Sequence, residues 1–192
     1  MRRVFLLSPA TCSGERAKLL LSARASFPLA LWLRSPEGLP LGETFAFLSG
    51  LYFRGKLAYA RAFANPPAVL RRAGILVITP TRGLLPAETI VRPELLREFA
   101  QVDVHPANPH YRVPLARDAR LLAAALGRAQ AVLLGSVATG KYIDVLAPIL
   151  GTRLVYPRSF PGRGDMSRGA LLLRCVQRGR ELVYAPTRPV PG

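Results

Sequence analysis

Residues 131–150 read Ala131-Val-Leu-Leu-Gly135-Ser-Val-Ala-Thr-Gly140-Lys141-Tyr142-Ile-Asp-Val-Leu-Ala-Pro-Ile-Leu150. A short apolar run, Ala131–Leu134, is followed by a turn bounded by glycines and then by a helical segment, Ile143–Leu150. This strand–turn–helix order recurs along the chain. Val4–Leu7, Gly74–Thr79, Arg153–Tyr156 and Leu182–Tyr184 read as further strands, each short, apolar and bounded by Gly or Pro signals. Between them, helices are predicted over Glu15–Leu21, Phe27–Arg34, Gly42–Ala64, Pro93–Phe99, Pro114–Leu126 and Met166–Gln177. The longest pattern, Gly42–Ala64, contains Gly50 and Gly55, which allow a break in its middle. Strands alternating with helices predict an α/β fold, a three-layer α/β/α sandwich on a mostly parallel sheet of four or five strands. Right-handed crossovers then gather the loops Ser8–Gly14, Thr79–Leu85, Gly135–Lys141 and Pro157–Arg168 at one edge, where open α/β sheets bind ligands.

At 192 residues and 50% apolar content the chain can bury a core without disulfide or metal staples. Residues 1–185 read as one domain, and 186–192, with three prolines, as a tail. The longest uncharged stretch is Ala129–Gly140, far below the roughly 18–20 residues that cross a bilayer. Met1-Arg2-Arg3 before Val4–Leu7 has the charge of a signal peptide, but the apolar run is too short and Pro9 ends it. A cytoplasmic protein without membrane partners is expected.

The net charge is +16, and 24 of the 27 basic residues are arginine. Such a field favours nucleic acid or nucleotides, although arginine-rich composition also follows from a GC-rich genome. No acid occurs between Glu43 and Glu88, while Arg54, Lys56, Arg61, Arg71, Arg72 and Arg82 do.

Gly135–Lys141 matches GxxxxGK in the strand-to-helix context that phosphate-binding loops require, with Ser136, Thr139, Gly140 and Lys141 as its phosphate-facing candidates. The position that holds a magnesium-binding hydroxyl in NTPases is Tyr142, and no strand ending in Asp follows. An anion cradle and an ordinary turn therefore stay open beside NTPase chemistry. The loop Pro161–Gly169 offers Arg163, Ser167 and Arg168 for phosphate, and Arg82 joins them from the second edge loop. Asp165 is the one carboxylate proposed there for general acid/base or water-positioning work, with helix capping or a salt bridge as its plain alternatives. Ser49, Tyr52, Arg54 and Lys56, interleaved with Phe45, Phe47, Phe53 and Tyr59, suit a nucleotide or a single strand; an amphipathic helix gives the same pattern. Cys12 and Cys175 fit reduced thiols, and His105 and His110 lack enough partners for a metal site. No metal or cofactor is expected.

Thr79-Pro80-Thr81-Arg82-Gly83-Leu84-Leu85-Pro86-Ala87-Glu88 resembles an S-P-x-G-x-x-P-x-x-E pattern in a domain of archaeosine synthases. His105–Pro114 resembles that domain's Y-P-A-x-x-Y-D-x-P. The stretches Phe47–Lys56 and Gly162–Arg168 are further similar to phrases of an uncharacterised bacterial α/β family. The resemblance to archaeosine synthases spans about residues 75–115 and implies a uracil-DNA-glycosylase-like fold but not that reaction; for an enzyme, base or glycosidic-bond chemistry is the class most consistent with it. The G-x-D-P and His-Pro-Ser segments of those glycosylases are missing here.

Overall fold

In the computed structural model, residues 1–71 and 73–187 are described; Arg72 and 188–192, most of the expected tail, lie outside them. The strands are β1 (Arg3–Leu7), β2 (Leu39–Pro40), β3 (Ile75–Thr79), β4 (Gly83–Pro86), β5 (Ile90–Val91), β6 (Gln130–Leu134), β7 (Leu154–Pro157) and β8 (Tyr184–Pro186). The helices are α1 (Glu15–Leu21), α2 (Pro28–Arg34), α3 (Leu41–Ser49), α4 (Leu51–Phe63), α5 (Pro93–Ala100), α6 (Pro109–Leu126), α7 (Ile143–Leu150) and α8 (Asp165–Gln177).

The main sheet runs β4-β3-β1-β6-β7-β8, and β2 with β5 forms a separate antiparallel pair. Pairings β3–β1, β1–β6 and β6–β7 are parallel, whereas the edges β4 and β8 run antiparallel. The expectation of four or five mostly parallel strands is corrected to six strands in a mixed sheet. The parallel centre matches the apolar runs seen in sequence. The last expected strand, Leu182–Tyr184, corresponds to β8, shifted by two residues, whereas β4 escapes that reading because it is a short return strand held mainly by β3.

Thr79 shows how β4 is made. Its hydroxyl donates to the Gly83 carbonyl and accepts from the Arg82 N–H, both at 3.0 Å, closing a tight hairpin. Gly83 has φ +66°, and a Cβ there would run into the Asp118 carboxylate and the Pro114 backbone. Asp118 in turn accepts from the Leu84 N–H at 2.9 Å. It therefore supports the hairpin from inside α6, since that helix starts at Pro109, with Asn108 as its cap, and not at Pro114. At the other edge, β8 takes Pro186, the first residue of the expected tail, and pairs it with Val155. An edge strand tolerates proline because an outward N–H can be dispensed with.

Alternating side chains of the central strands feed two cores. Phe5, Leu7, Val77, Val132 and Leu134 pack with α3, α4, α5 and α8 on one face. Val4, Leu6, Leu76, Ile78, Ala131 and Leu133 pack with α6 and α7 on the other. Helices thus cover both faces, so the central strands can be apolar throughout. Gly50, at φ +64°, ends α3 and lets α4 begin, dividing the long helical pattern of residues 42–64. Among the described residues, no helix is long and apolar enough to cross a membrane.

Candidate functional site

Two glycines decide which side chains meet at the C-terminal edge of the parallel strands. Where α4 crosses α8, a Cβ on Gly55 would lie 2.7 Å from the Gly169 carbonyl oxygen. A Cβ on Gly169 would lie 2.8 Å from the Leu51 carbonyl oxygen and 2.9 Å from the Tyr52 Cα. The two backbones are in contact, so Tyr52 and Lys56 of α4 come against Asp165 and Arg168 of α8. A third glycine does the same for the strands. A Cβ on Gly135 would sit 2.9 Å from the Ser8 Cβ, so the ends of β1 and β6 close tightly and bring Ser8 beside Ser136.

These elements enclose a pocket of about 210 Å³. Ser8 and the Pro9–Thr11 loop form one wall, Ser136 and Tyr142 a second, and Ser49, Tyr52, Asp165 and Arg168 the rest. A cavity of about 380 Å³ adjoins it, sharing Pro9, Ala10, Thr11 and Tyr142 and reaching Lys141, Asp103 and Cys12. The expected juxtaposition of the Gly162–Arg168 loop with the Gly135–Lys141 turn is present, through Ser136, Asp165 and Arg168.

Lys56 is the unusual residue of this region. It is 1% exposed, and its ammonium nitrogen lies 2.6 Å from the Ser8 carbonyl oxygen and 2.9 Å from the Ser8 hydroxyl. The nitrogen also sits 4.5 Å from the Tyr52 ring centroid and 4.6 Å from that of Phe53. Burial lowers its pKa to about 7; Asp165 works against that shift and Arg168 adds to it. Tyr142 is pushed up to about 12 by burial, with the Ser8 hydroxyl opposing the shift. Tyr52 is raised by burial too, and its hydroxyl makes no hydrogen bond among the described residues. A buried polar atom left without a partner costs roughly 1–3 kcal/mol.

Arg168 is held in place. Its Nε donates to the Phe160 carbonyl at 3.2 Å, its guanidinium lies over the Phe160 ring at 5.6 Å, and Nη1 reaches Asp165 at 3.4 Å. Asp165 is the first residue of α8, whose N-cap is Gly164, so the capping alternative for Asp165 is set aside. The salt-bridge alternative is present as the Arg168 contact.

Other candidates lie elsewhere. Arg82 donates to Glu98 through Nε at 2.8 Å and Nη2 at 2.6 Å, a fork that satisfies it away from the pocket. Arg163 donates to the Ser159 carbonyl at 2.9 Å and the Ser167 hydroxyl at 3.1 Å, which ties both residues into the loop's own structure. Thr139 is exposed and lines neither cavity. A Cβ on Gly140 would meet the Asp144 carboxylate at 2.5 Å, so a negative group lies over the turn where a phosphate cradle was expected. Arg54 lines a separate groove with Arg16 and Phe47, away from Tyr52 and Lys56. The expected contact set Tyr52, Arg54 and Lys56 is thus split by the helix, because residues two apart face different sides.

The sequence groups Ser49 and Lys56 with Tyr52 as a nucleic-acid contact and places Ser8 only within an edge loop, and it does not single out Ser8 or Tyr142 as pocket residues. One signal pointed to Lys56: it is one of three lysines in a chain with 24 arginines. A compact amine fits a closed site that a guanidinium does not. Among the described residues there is no group of three His, Cys, Asp or Glu side chains placed to hold a metal. No protein-family model matches the chain, and neither the curated proteins nor the solved structures give a significant match.

Proposed function

We propose that the protein binds a nucleotide, free or within a nucleic acid, in the cleft formed by the two adjoining cavities. The observation that carries this reading is Arg168, fixed by Phe160 yet lining a pocket whose other polar side chains are hydroxyls and one carboxylate. A guanidinium so placed suits a phosphate, with Ser136 and Thr11 as further donors. The larger cavity, reached past Tyr142 and bordered by Lys141, has the volume for a base and sugar. The net charge of +16 draws polyanions toward any such site. The uracil-DNA-glycosylase-like layer order belongs to the same reading, supported by helices on both faces of a parallel-centred sheet. Within it, Asp165 is the group that would position a water or read a base, for base or glycosidic-bond chemistry.

Isothermal titration with nucleoside monophosphates tests this. Arg168→Gln is expected to weaken binding at least tenfold, about 1.4 kcal/mol. Lys18→Gln removes one charge from exposed α1 and should leave binding unchanged. Equal binding by folded Arg168→Gln and the unaltered protein would overturn the reading. Binding of long nucleic acid without any mononucleotide binding would favour the alternative, a non-catalytic nucleic-acid-binding module.

A further inference from the structure

We propose that Ser8 and Lys56 form a serine–lysine pair that hydrolyses a small carboxylic ester bound in the pocket at the ends of β1 and β6. The inference goes beyond nucleotide binding and does not require it.

The geometry supplies each part. Ser8 directly follows β1 and lines the pocket where a substrate would lie. Lys56 stands behind it, closed off from solvent, with Nζ 2.9 Å from the hydroxyl oxygen and 2.6 Å from the Ser8 carbonyl. A neutral amine keeps its N–H bond to that carbonyl, which fixes the nitrogen, and turns its lone pair to the hydroxyl. The 2.9 Å contact then has the polarity of a nucleophile donating to its base. Groups facing the amine come from three sides. Tyr52 and Phe53 lie on its own helix, Asp165 and Arg168 on α8, and Tyr142 beside Ser8. The carboxylate and the guanidinium oppose one another, leaving burial as the main influence, and burial favours the neutral amine that a base requires. Arg168 lines the same pocket and supplies donors for an oxygen that becomes negative.

The step balances with water as the only co-reactant. The Ser8 proton passes to Lys56 as Oγ bonds to the ester carbonyl carbon. Collapse of the tetrahedral intermediate breaks the bond to the leaving oxygen, which takes the proton from Lys56. Water then gives a proton to Lys56, adds to the acyl carbon and displaces Oγ, which recovers the proton. One ester and one water become one acid and one alcohol. The pocket, about 210 Å³, limits the substrate to a short acyl group, and Arg168 favours one bearing an anionic substituent.

A fluorophosphonate probe tests the pair, since it reacts with an activated serine and loses fluoride. The expected result is a single mass addition, mapped to Ser8, absent in Ser8→Ala and at least a hundredfold slower in Lys56→Met of unchanged melting temperature. The labelling rate of the unaltered protein should rise about tenfold per pH unit below its inflection near 7 and then level, as for one general base. No labelling of the folded protein, labelling at another residue, an undiminished rate in folded Lys56→Met, or a flat pH profile would each overturn the proposal. Should Lys56→Met not fold, the site of labelling and the pH profile decide. Nucleotide titration reads the other proposal separately, so failure of either leaves the other standing on its own result.

Discussion

Lys56 gives the stability of this protein a pH dependence that runs opposite to that of a salt-bridged lysine. Burial holds its pKa near 7 in the folded chain, against an ordinary 10.5. Below pH 7 the amine is protonated in both states, and the cost of burying an ammonium ion is fully present. Above it, the unfolded chain binds a proton that the folded chain does not, so the unfolding free energy rises with pH until the unfolded amine also titrates. One proton corresponds to about 1.4 kcal/mol per pH unit once the folded amine is neutral. From about pH 7 to about pH 8.5, allowing for half-titration at the start, the gain is about 1.5 kcal/mol. The window ends there because Cys12 has the opposite sign. Burial pushes that thiol up to about 12 from an ordinary 9.0, so the unfolded chain loses its proton first and stability falls at higher pH. Urea denaturation at the two pH values, at constant salt, measures the change as a shift in midpoint at constant slope. Lys56→Met has no amine to titrate and should be flat across the window. A flat or falling profile for the unaltered protein, or the same rise in Lys56→Met, would refute the assignment of a buried amine near neutrality.

Gly55→Ala and Gly169→Ala should each destabilise by about 1–3 kcal/mol, read by chemical denaturation, because the added methyl has only backbone to push against. A neutral effect would mean that α4 and α8 are not in backbone contact. Glu98→Gln weakens the fork on Arg82 and should leave mononucleotide affinity unchanged in calorimetry, since that arginine lies away from the cleft. No magnesium-dependent ATP or GTP hydrolysis is expected from Gly135–Lys141, as Tyr142 stands at the metal-binding position; a turnover lost in Lys141→Ala would contradict this. If nucleic acid is bound through about six phosphates, filter binding should give a log–log salt slope near about −5 for duplex and about −4 for single strands. A flat slope would set that partner aside.

The periodicity of the sequence determined which residues form the central strands and which form helices. Val4–Leu7, Ile75–Ile78 and Ala131–Leu134 are apolar throughout because both faces of the strand are covered, and that pattern is local. The loops that share one sheet edge followed from handedness, which is why Ser136, Asp165 and Arg168 were sought together. Of the two edge strands, β8 was legible two residues early, as Leu182–Tyr184, and β4 was not legible. Gly83–Pro86 has no alternation of its own, and its pairing rests on Thr79 and on Asp118, 32 and more residues later in the chain. The site itself belongs to tertiary structure. Whether Lys56 is a surface cation or a buried amine depends on how closely α8 approaches α4. Two glycines 114 residues apart set that distance. Sequence spacing reports which side of its own helix a residue occupies; what covers that side is decided by the packing of elements remote in the chain, and burial is what turns the lysine's chemistry from charge to base.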